Sequence, residues 1–124
     1  MTSTELRATA RAMVAVGILA ADESVATASK RLESVGVESS AETRRAYREM
    51  LFTAPGLSRY VSGVILFDET LRQRVSDGTP IPELLASEGM VPGIKVDTGA
   101  KPLAGHPQET VTEGKTSAPF LYSE

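Results

Sequence analysis

Acidic and hydroxyl side chains follow a short apolar run near the start of the chain, where Asp22, Glu23 and Ser24 come directly after residues 17–21. In a parallel α/β protein, ligands bind and acids act where a strand passes into a helix. Asp22 would then stand at the carboxyl end of a buried strand, and Ser24 near the N-terminus of the next helix. A solvated turn in which Ser24 only caps that helix fits the same residues. Both interpretations are open at this point.

Two further candidate strands also end in charged residues, which are Asp68, Glu69, Lys95 and Asp97. Parallel strands bring such ends to one edge of a sheet. A lysine among carboxylates could orient phosphates there or take part in proton transfer. A lysine on a buried strand is costly unless it is paired or faces a cavity. Turn acids with Lys95 paired to Asp22 would account for the same pattern without any chemistry, so this choice is open as well.

The elements that would position these residues can be predicted from hydrophobic periodicity, which indicates alternating helices and strands. Thr2 and Glu5 form a capping-box pattern at the start of the first helix. Gly36 and Gly89 suit positions just after helix ends. The predicted helices are Thr2–Ala15, 25–35, Ala41–Thr53 and Ile81–Glu88, with a short helical piece at 68–75. The predicted strands are Gly17–Ala21, Gly63–Phe67 and Pro92–Val96.

Alternation along the first strand places Ile18, Ala20 and Asp22 on one side of the sheet. We expect Ile18 and Leu66 to be exposed on one open face. The helix Ala41–Thr53 is predicted to bury an apolar stripe and to carry its arginines on a solvated surface. The stripe is Tyr47, Met50 and Leu51, and the arginines are Arg44, Arg45 and Arg48. From Thr98 onward Gly, Pro, Thr and Lys dominate, which predicts a loop-like tail with no fourth strand.

Composition sets bounds on the function. The chain has 124 residues, the usual size of one domain, and a net charge of −3, which gives no broad attraction to nucleic acid or anionic membrane. It contains no Cys, and His106 is its only histidine, so a thiolate or histidine metal site and a catalytic triad have too few parts. We expect no metal, no cofactor, no membrane span and a cytoplasmic location.

Six segments, in order along the chain, resemble the N-terminal part of class I fructose-bisphosphate aldolases. They are Gly17–Ser24, Lys30–Leu32, Glu42–Arg48, Gly63–Leu71, Gly93–Asp97 and Pro102–Gly105. The resemblance implies an incomplete (α/β)8 TIM barrel, with an N-terminal helix, about three parallel strands joined by crossover helices, and an irregular C-terminal tail. Residues 1–114 would form the aldolase-like part. Residues 115–124 resemble nothing in the family and are expected to be a disordered tail.

The resemblance also implies an activity. The family cleaves fructose 1,6-bisphosphate to dihydroxyacetone phosphate and glyceraldehyde 3-phosphate in glycolysis, through a lysine Schiff base and without a cofactor or metal. By resemblance Asp22 and Lys95 match catalytic residues of the first and third strands. The substrate- and phosphate-binding residues implied in the same way are Ser24, Thr27, Arg31 and Arg44. Sugar bisphosphates or triose phosphates are the partners implied.

The family's Schiff-base lysine lies on a later strand than any matched here, so we expect this chain to be inactive alone. One alternative is a non-catalytic fragment that weakly binds phosphates or associates with a full-length aldolase through open strand edges. Another is a small α/β phosphate-binding module, which the lack of a Gly-rich P-loop disfavours.

Overall fold

The computed structural model describes residues 1–114, in which helices cover a parallel sheet and a β-hairpin follows. The helices are α1 Ser3–Met13, α2 Val25–Ser34, α3 Ala41–Phe52, α4 Asp68–Leu71 and α5 Ile81–Ser87, with a 3-10 turn at Leu57–Arg59. The strands are β1 Ile18–Ala21, β2 Gly63–Leu66, β3 Val91–Ile94, β4 Asp97–Leu103 and β5 His106–Gly114.

The first three strands form one parallel sheet in the order β1-β2-β3. This confirms the predicted sequence of strands separated by helical crossovers. The predicted helical piece at 68–75 is shorter than expected, because the chain leaves α4 and Arg74 forms an antiparallel bridge with Pro80.

Local capping signals place the helix ends. The Thr2 hydroxyl accepts a hydrogen bond from the Glu5 amide at 3.2 Å, and the Glu5 carboxylate accepts one from the Thr2 amide at 2.6 Å. This confirms the predicted capping box, which satisfies two otherwise unpaired donors. Gly36 and Gly89 have φ values of +78° and +80° just beyond α2 and α5, a conformation that favours glycine.

The core lies between the helices and one face of the parallel sheet. This helix-covered face carries the side chains of Leu19, Ala21, Val64 and Leu66. Leu66 is fully buried, so the prediction that it would be exposed beside Ile18 is wrong. The register explains the error: Ile18 pairs with Gly63, three residues before Leu66, and an odd spacing on a strand reverses the face.

The second face of the sheet carries Ile18, Ala20 and Ile65. Ile18 is 45% exposed there, as predicted. Met13, the last residue of α1, lies across part of this face. A Cβ atom added at Gly63 would stand 2.7 Å from the Met13 carbonyl oxygen. A glycine is therefore required wherever α1 approaches the strand this closely.

Helix α3 is rotated relative to the prediction. Arg48, expected on a solvated surface, is 2% exposed, whereas Met50, expected in the apolar stripe, is 61% exposed. The buried positions are Arg48 and Phe52, four residues apart and therefore on one side of the helix. An arginine can occupy this side because its guanidinium finds hydrogen-bond acceptors at the end of β1.

The predicted loop-like tail after Thr98 is wrong over the described residues, because β4 and β5 form an antiparallel hairpin. Leu103 pairs with His106 across a turn in which Gly105 has a φ of +78°. The hairpin was missed because every residue of β5 is exposed, so no apolar alternation marks it. The tail predicted at 115–124 lies outside the described residues. Over residues 1–114 no helix has the length and apolar character needed to cross a membrane.

Candidate functional site

A cleft of about 530 Å³ lies at the carboxyl ends of the parallel strands and is called the site cleft below. Its lining residues are Asp22, Glu23, Ser24, Thr27, Phe67, Lys95, Asp97, Thr98 and Gly99. The structure therefore brings together Asp22, Ser24, Thr27 and Lys95 from the predicted set. Arg31 and Arg44 lie outside this lining.

Lys95 is held between two carboxylates. Its Nζ lies 2.7 Å from Oδ2 of Asp97 and 3.6 Å from Oδ2 of Asp22. The hydrogen bond to Asp97 and the negative charges of Asp97 and Asp22 raise the pKa of Lys95 above its ordinary value. Lys95 therefore carries a positive charge at neutral pH and can donate hydrogen bonds, while its protonated nitrogen cannot act as a nucleophile.

Asp97 is the closer partner of Lys95, whereas the pairing considered from the sequence as one of two alternatives was with Asp22. The other carboxylate oxygen of Asp97 accepts a hydrogen bond from the Gly99 amide at 2.8 Å. The hydrogen bond from Lys95, followed by that from Gly99, lowers the pKa of Asp97. The Asp22 carboxylate, which is the more distant of the two partners, lines the site cleft with a quarter of its side chain exposed (25%).

Ser24 caps α2, and it lines the site cleft as well. Its Oγ accepts a hydrogen bond from the Thr27 amide at 3.3 Å and lies 3.2 Å from the Thr27 hydroxyl. The first-turn amides of a helix attract anions, because they are unpaired donors at the positive end of the helix dipole. Two hydroxyls beside such an end could bind a phosphate.

The two predicted arginines each form a salt bridge. Arg31 is 61% exposed, and its Nη1 lies 2.9 Å from a carboxylate oxygen of Glu23. Arg44 is largely buried, and two of its nitrogens bind the two carboxylate oxygens of Glu69 at 2.7 and 2.8 Å. A third Arg44 nitrogen donates to the Ser39 hydroxyl at 2.9 Å. Arg31 is thus linked to the site cleft through Glu23, whereas Arg44 joins α3 to α4.

Sequence reasoning missed part of the wall of the site cleft. Thr98 and Gly99 line it because β4 begins at Asp97, shortly after β3 ends at Ile94 beside the cleft. The available signal was the β-branched run at residues 110–112, preceded by a glycine turn. Within residues 1–114 no group of three His, Cys, Asp or Glu side chains is placed to hold a metal ion.

Comparison with known proteins gives a consistent result. The family profile described as fructose-bisphosphate aldolase class-I matches residues 5–118. A probable fructose-bisphosphate aldolase class 1 from Xanthomonas axonopodis pv. citri is 58% identical over 116 residues, which are 92% of this chain and 35% of the relative. The fructose-bisphosphate aldolase of Schistosoma mansoni is 54% identical over 113 residues, covering 89% of this chain and 31% of that protein.

A solved structure agrees with these sequence matches. Fructose-bisphosphate aldolase from Plasmodium falciparum superposes with a TM-score of 0.81 at 43% identity, covering 90% of this chain and 33% of that one. The present chain thus spans about a third of the length of the relatives it matches. Its three parallel strands and crossover helices form an incomplete α/β fold, similar to one part of that longer chain.

Proposed function

This chain belongs to the class I fructose-bisphosphate aldolase family, and from that membership we propose that it supplies the amino-terminal part of a Schiff-base aldolase site for fructose 1,6-bisphosphate. Because it spans about a third of its relatives, the reaction, substrate and partners are all part of the proposal. The observation that carries it is the pairing of the Asp22 carboxylate and the Lys95 ammonium, 3.6 Å apart, from two strand ends that face one cleft.

The charges of these two residues suit different tasks. Asp22 is an accessible carboxylate and would accept a hydrogen bond or a proton from a sugar hydroxyl. Lys95 carries a positive charge that Asp97 and Asp22 stabilise, so it would donate hydrogen bonds to substrate oxygens and offset negative charge. Because Lys95 is protonated, the nucleophilic lysine of a Schiff-base mechanism would be a different residue.

The remaining residues would bind phosphate. Ser24 and Thr27 present hydroxyls at the start of α2, on the wall of the site cleft. Arg31 has an exposed guanidinium beside Glu23 and would reach an anion at the mouth of the cleft. Arg44 would contact substrate only after releasing Glu69. We therefore expect a larger loss of substrate affinity from Arg31→Ala than from Arg44→Ala.

A transplant tests the proposal. Residues 5–114 replace the matching segment of the Xanthomonas axonopodis relative, and cleavage of fructose 1,6-bisphosphate is followed in a coupled assay. We expect the chimera to be active. Asp22→Asn should reduce kcat on the order of 10² to 10⁴-fold, the usual contribution of a positioned acid or base. Lys95→Met should reduce it on the order of 10² to 10³-fold, the usual loss when one charge-stabilising donor is removed. Asp68→Asn and Lys101→Met are matched controls, because both residues lie outside the lining of the site cleft. If the controls lost as much kcat as the Asp22 and Lys95 variants, the roles assigned to Asp22 and Lys95 would be wrong.

The 124-residue chain alone is expected to show no turnover, because the family's Schiff-base lysine lies beyond the matched strands by resemblance. The same assay, with borohydride reduction to trap a substrate adduct, measures this directly. Turnover above background, or a specific adduct on Lys95, would contradict it.

A second function is favoured by the edges of the sheet. Among the described residues β1 and β3 each pair along one edge only, and Ile18 is half exposed on the second face. Unpaired edges accept further strands. The chain could therefore act without catalysis, by binding phosphates weakly or by associating with a full-length aldolase. Size-exclusion chromatography with and without an intact relative tests this, and a monomer unaffected by the relative counts against it.

Family membership also suggests a cell compartment. We propose a cytoplasmic protein of glycolysis, which would meet sugar bisphosphates and triose phosphates there. One relative, an Arabidopsis thaliana protein 58% identical over 98 residues, is named a cytosolic aldolase. Subcellular fractionation of the source cells tests the location, and recovery with membranes would contradict it.

A further inference from the structure

We infer that Arg48 is a positioning residue for the site cleft, because its buried guanidinium fixes the backbone on both sides of Asp22. Arg48 is absent from the lining of the cleft, so it would act on substrate only through the lining residues that it holds, Asp22 and Glu23. The inference rests on the proposed function only where it treats Asp22 as a catalytic group. The contact between Arg48 and the Asp22 segment stands independently of it.

Three contacts carry the inference. The Nε of Arg48 donates to the Ala21 carbonyl oxygen at 3.1 Å, and Nη2 donates to the Glu23 carbonyl oxygen at 2.9 Å. The same Nη2 lies 3.2 Å from the Glu23 carboxylate. These two carbonyls belong to the residues immediately before and after Asp22. One planar guanidinium therefore orients the peptide planes 21–22 and 23–24, which enclose the residue that faces Lys95.

The segment that holds Asp22 has no regular secondary structure of its own. β1 ends at Ala21 and α2 begins at Val25, so residues 22–24 lie outside both the sheet ladder and the helix. A buried carbonyl without a partner is unfavourable, and Arg48 donates to the carbonyl oxygens of the residues on both sides of Asp22. Arg48 thus holds the irregular segment to α3 directly after the strand ends.

Stability alone does not explain an arginine here. Burying a charged guanidinium carries a desolvation cost, and apolar residues of similar volume often stabilise a core as well or better. Phe52, one turn further along α3, fills its buried position with an apolar ring. An apolar side chain at position 48 could not donate hydrogen bonds to the carbonyl oxygens of Ala21 and Glu23, on the two sides of Asp22.

The experiment uses the 124-residue chain labelled at its lysines, in which the Lys95 Nζ and Cε resonances report how closely Asp22 approaches. Asp22→Asn should lower the pKa of Lys95, because it removes a negative charge 3.6 Å away. Arg48→Lys keeps the positive charge but loses the fork geometry, so it should release Asp22 and lower the same pKa. In the double variant the pKa of Lys95 should fall no further than with Asp22→Asn alone.

Arg45→Lys is the matched control. Arg45 is a partly buried arginine on the same helix, and it forms salt bridges with Glu42 and Glu49. It should leave the titration of Lys95 unchanged, even if it lowers the melting temperature. A purely structural role of Arg48 would likewise change the melting temperature without moving Lys95. An unchanged Lys95 titration in Arg48→Lys, or fully additive shifts in the double variant, would overturn the inference.

A measurement on the unmodified chain decides the matter if Arg48→Lys does not fold. The Nε–H of Arg48 should exchange with water on the order of tenfold or more slowly than that of exposed Arg72. Equal exchange would overturn the inference, since a guanidinium that moves freely positions nothing. Neither readout involves turnover, so an inactive chimera would count against the proposed function and leave this inference standing.

Discussion

The two faces of the parallel sheet are built from the same three strands, yet helices cover one and leave much of the other accessible. On the helix-covered face Val64 and Leu66 are fully buried, while on the second face Ile18 is 45% exposed. Asp22 and Lys95 continue the alternation of the second face and project into the site cleft. Strands that alternate in this way divide the tasks of folding and chemistry between their two sides.

The difference shows where a polar group can be placed without weakening the fold. Apolar burial stabilises by about 25 cal/mol per Å² removed from water, so most of the folding free energy comes from the helix-covered face. Charged groups on the second face keep contact with solvent and need only one close partner. Lys95 meets this condition through Asp97, at 2.7 Å.

The largest expected effect comes from truncating the helix-covered face. Leu66→Ala should lower the free energy of unfolding by about 2 to 5 kcal/mol, because it leaves a cavity among fully buried neighbours. Ile18→Ala, on the adjacent strand but the second face, should cost about 1 kcal/mol or less. Urea unfolding followed by circular dichroism measures both. Equal costs would mean that the second face is buried in solution, and the comparison would fail.

A smaller effect is expected where α1 crosses the second face. Gly63→Ala should cost roughly 1 to 3 kcal/mol, because the new methyl group would meet the backbone carbonyl of Met13, 2.7 Å away. Gly93→Ala would meet mainly the end of the flexible Met13 side chain, at 2.6 Å from Cε, and should cost less.

Shortening the methionine separates these two cases. Met13→Ala should rescue Gly93→Ala fully, because the close contact there is with the end of the Met13 side chain. It should rescue Gly63→Ala only in part, because that methyl group meets the Met13 carbonyl oxygen as well as the Cγ atom. Thermal melts of the two double variants test this. Full rescue of both variants, or rescue of neither, would show that α1 does not pack on the second face as described.

Much of this division could be predicted from the sequence. Short apolar runs and strong capping signals gave three parallel strands and their helices, because local hydrogen bonding and burial favour the same elements there. Leu66 was assigned to the wrong face because the register between two strands depends on contacts distant in sequence. The hairpin was not predicted because every residue of β5 is exposed. Its sequence therefore has no alternation of apolar and polar residues that would indicate a strand.

The site was predictable in its parts and less so in its pairing. The rule that parallel strands end at one edge placed Asp22 and Lys95 in the same cleft. That rule cannot tell that Asp97 would approach Lys95 more closely than Asp22 does, because the position of Asp97 depends on the hairpin. Arg48 looked like a surface residue because periodicity counts every arginine as polar. Its position is determined by two backbone carbonyl acceptors, those of Ala21 and Glu23, which are distant from Arg48 in sequence.

The smallest expected effect is on the loss of stability at low pH. It compares the Arg44–Glu69 ion pair, which joins α3 to α4, with the Lys95–Asp97 ion pair at the site cleft. Arg44 lowers the pKa of Glu69 below its ordinary value of 4.5, so ionised Glu69 stabilises the fold above that pH. This contribution is lost as the pH falls below 4.5 and through the lowered pKa. Glu69→Gln should therefore cost about 1 kcal/mol at pH 7 and flatten the fall in melting temperature between pH 5 and pH 3. Asp97→Asn should flatten it less over this interval, since the ordinary pKa of an aspartate is 3.8 and Lys95 lowers the pKa of Asp97 below that value. A larger effect of Asp97→Asn would place the main acid-sensitive contact on the second face and reverse the comparison.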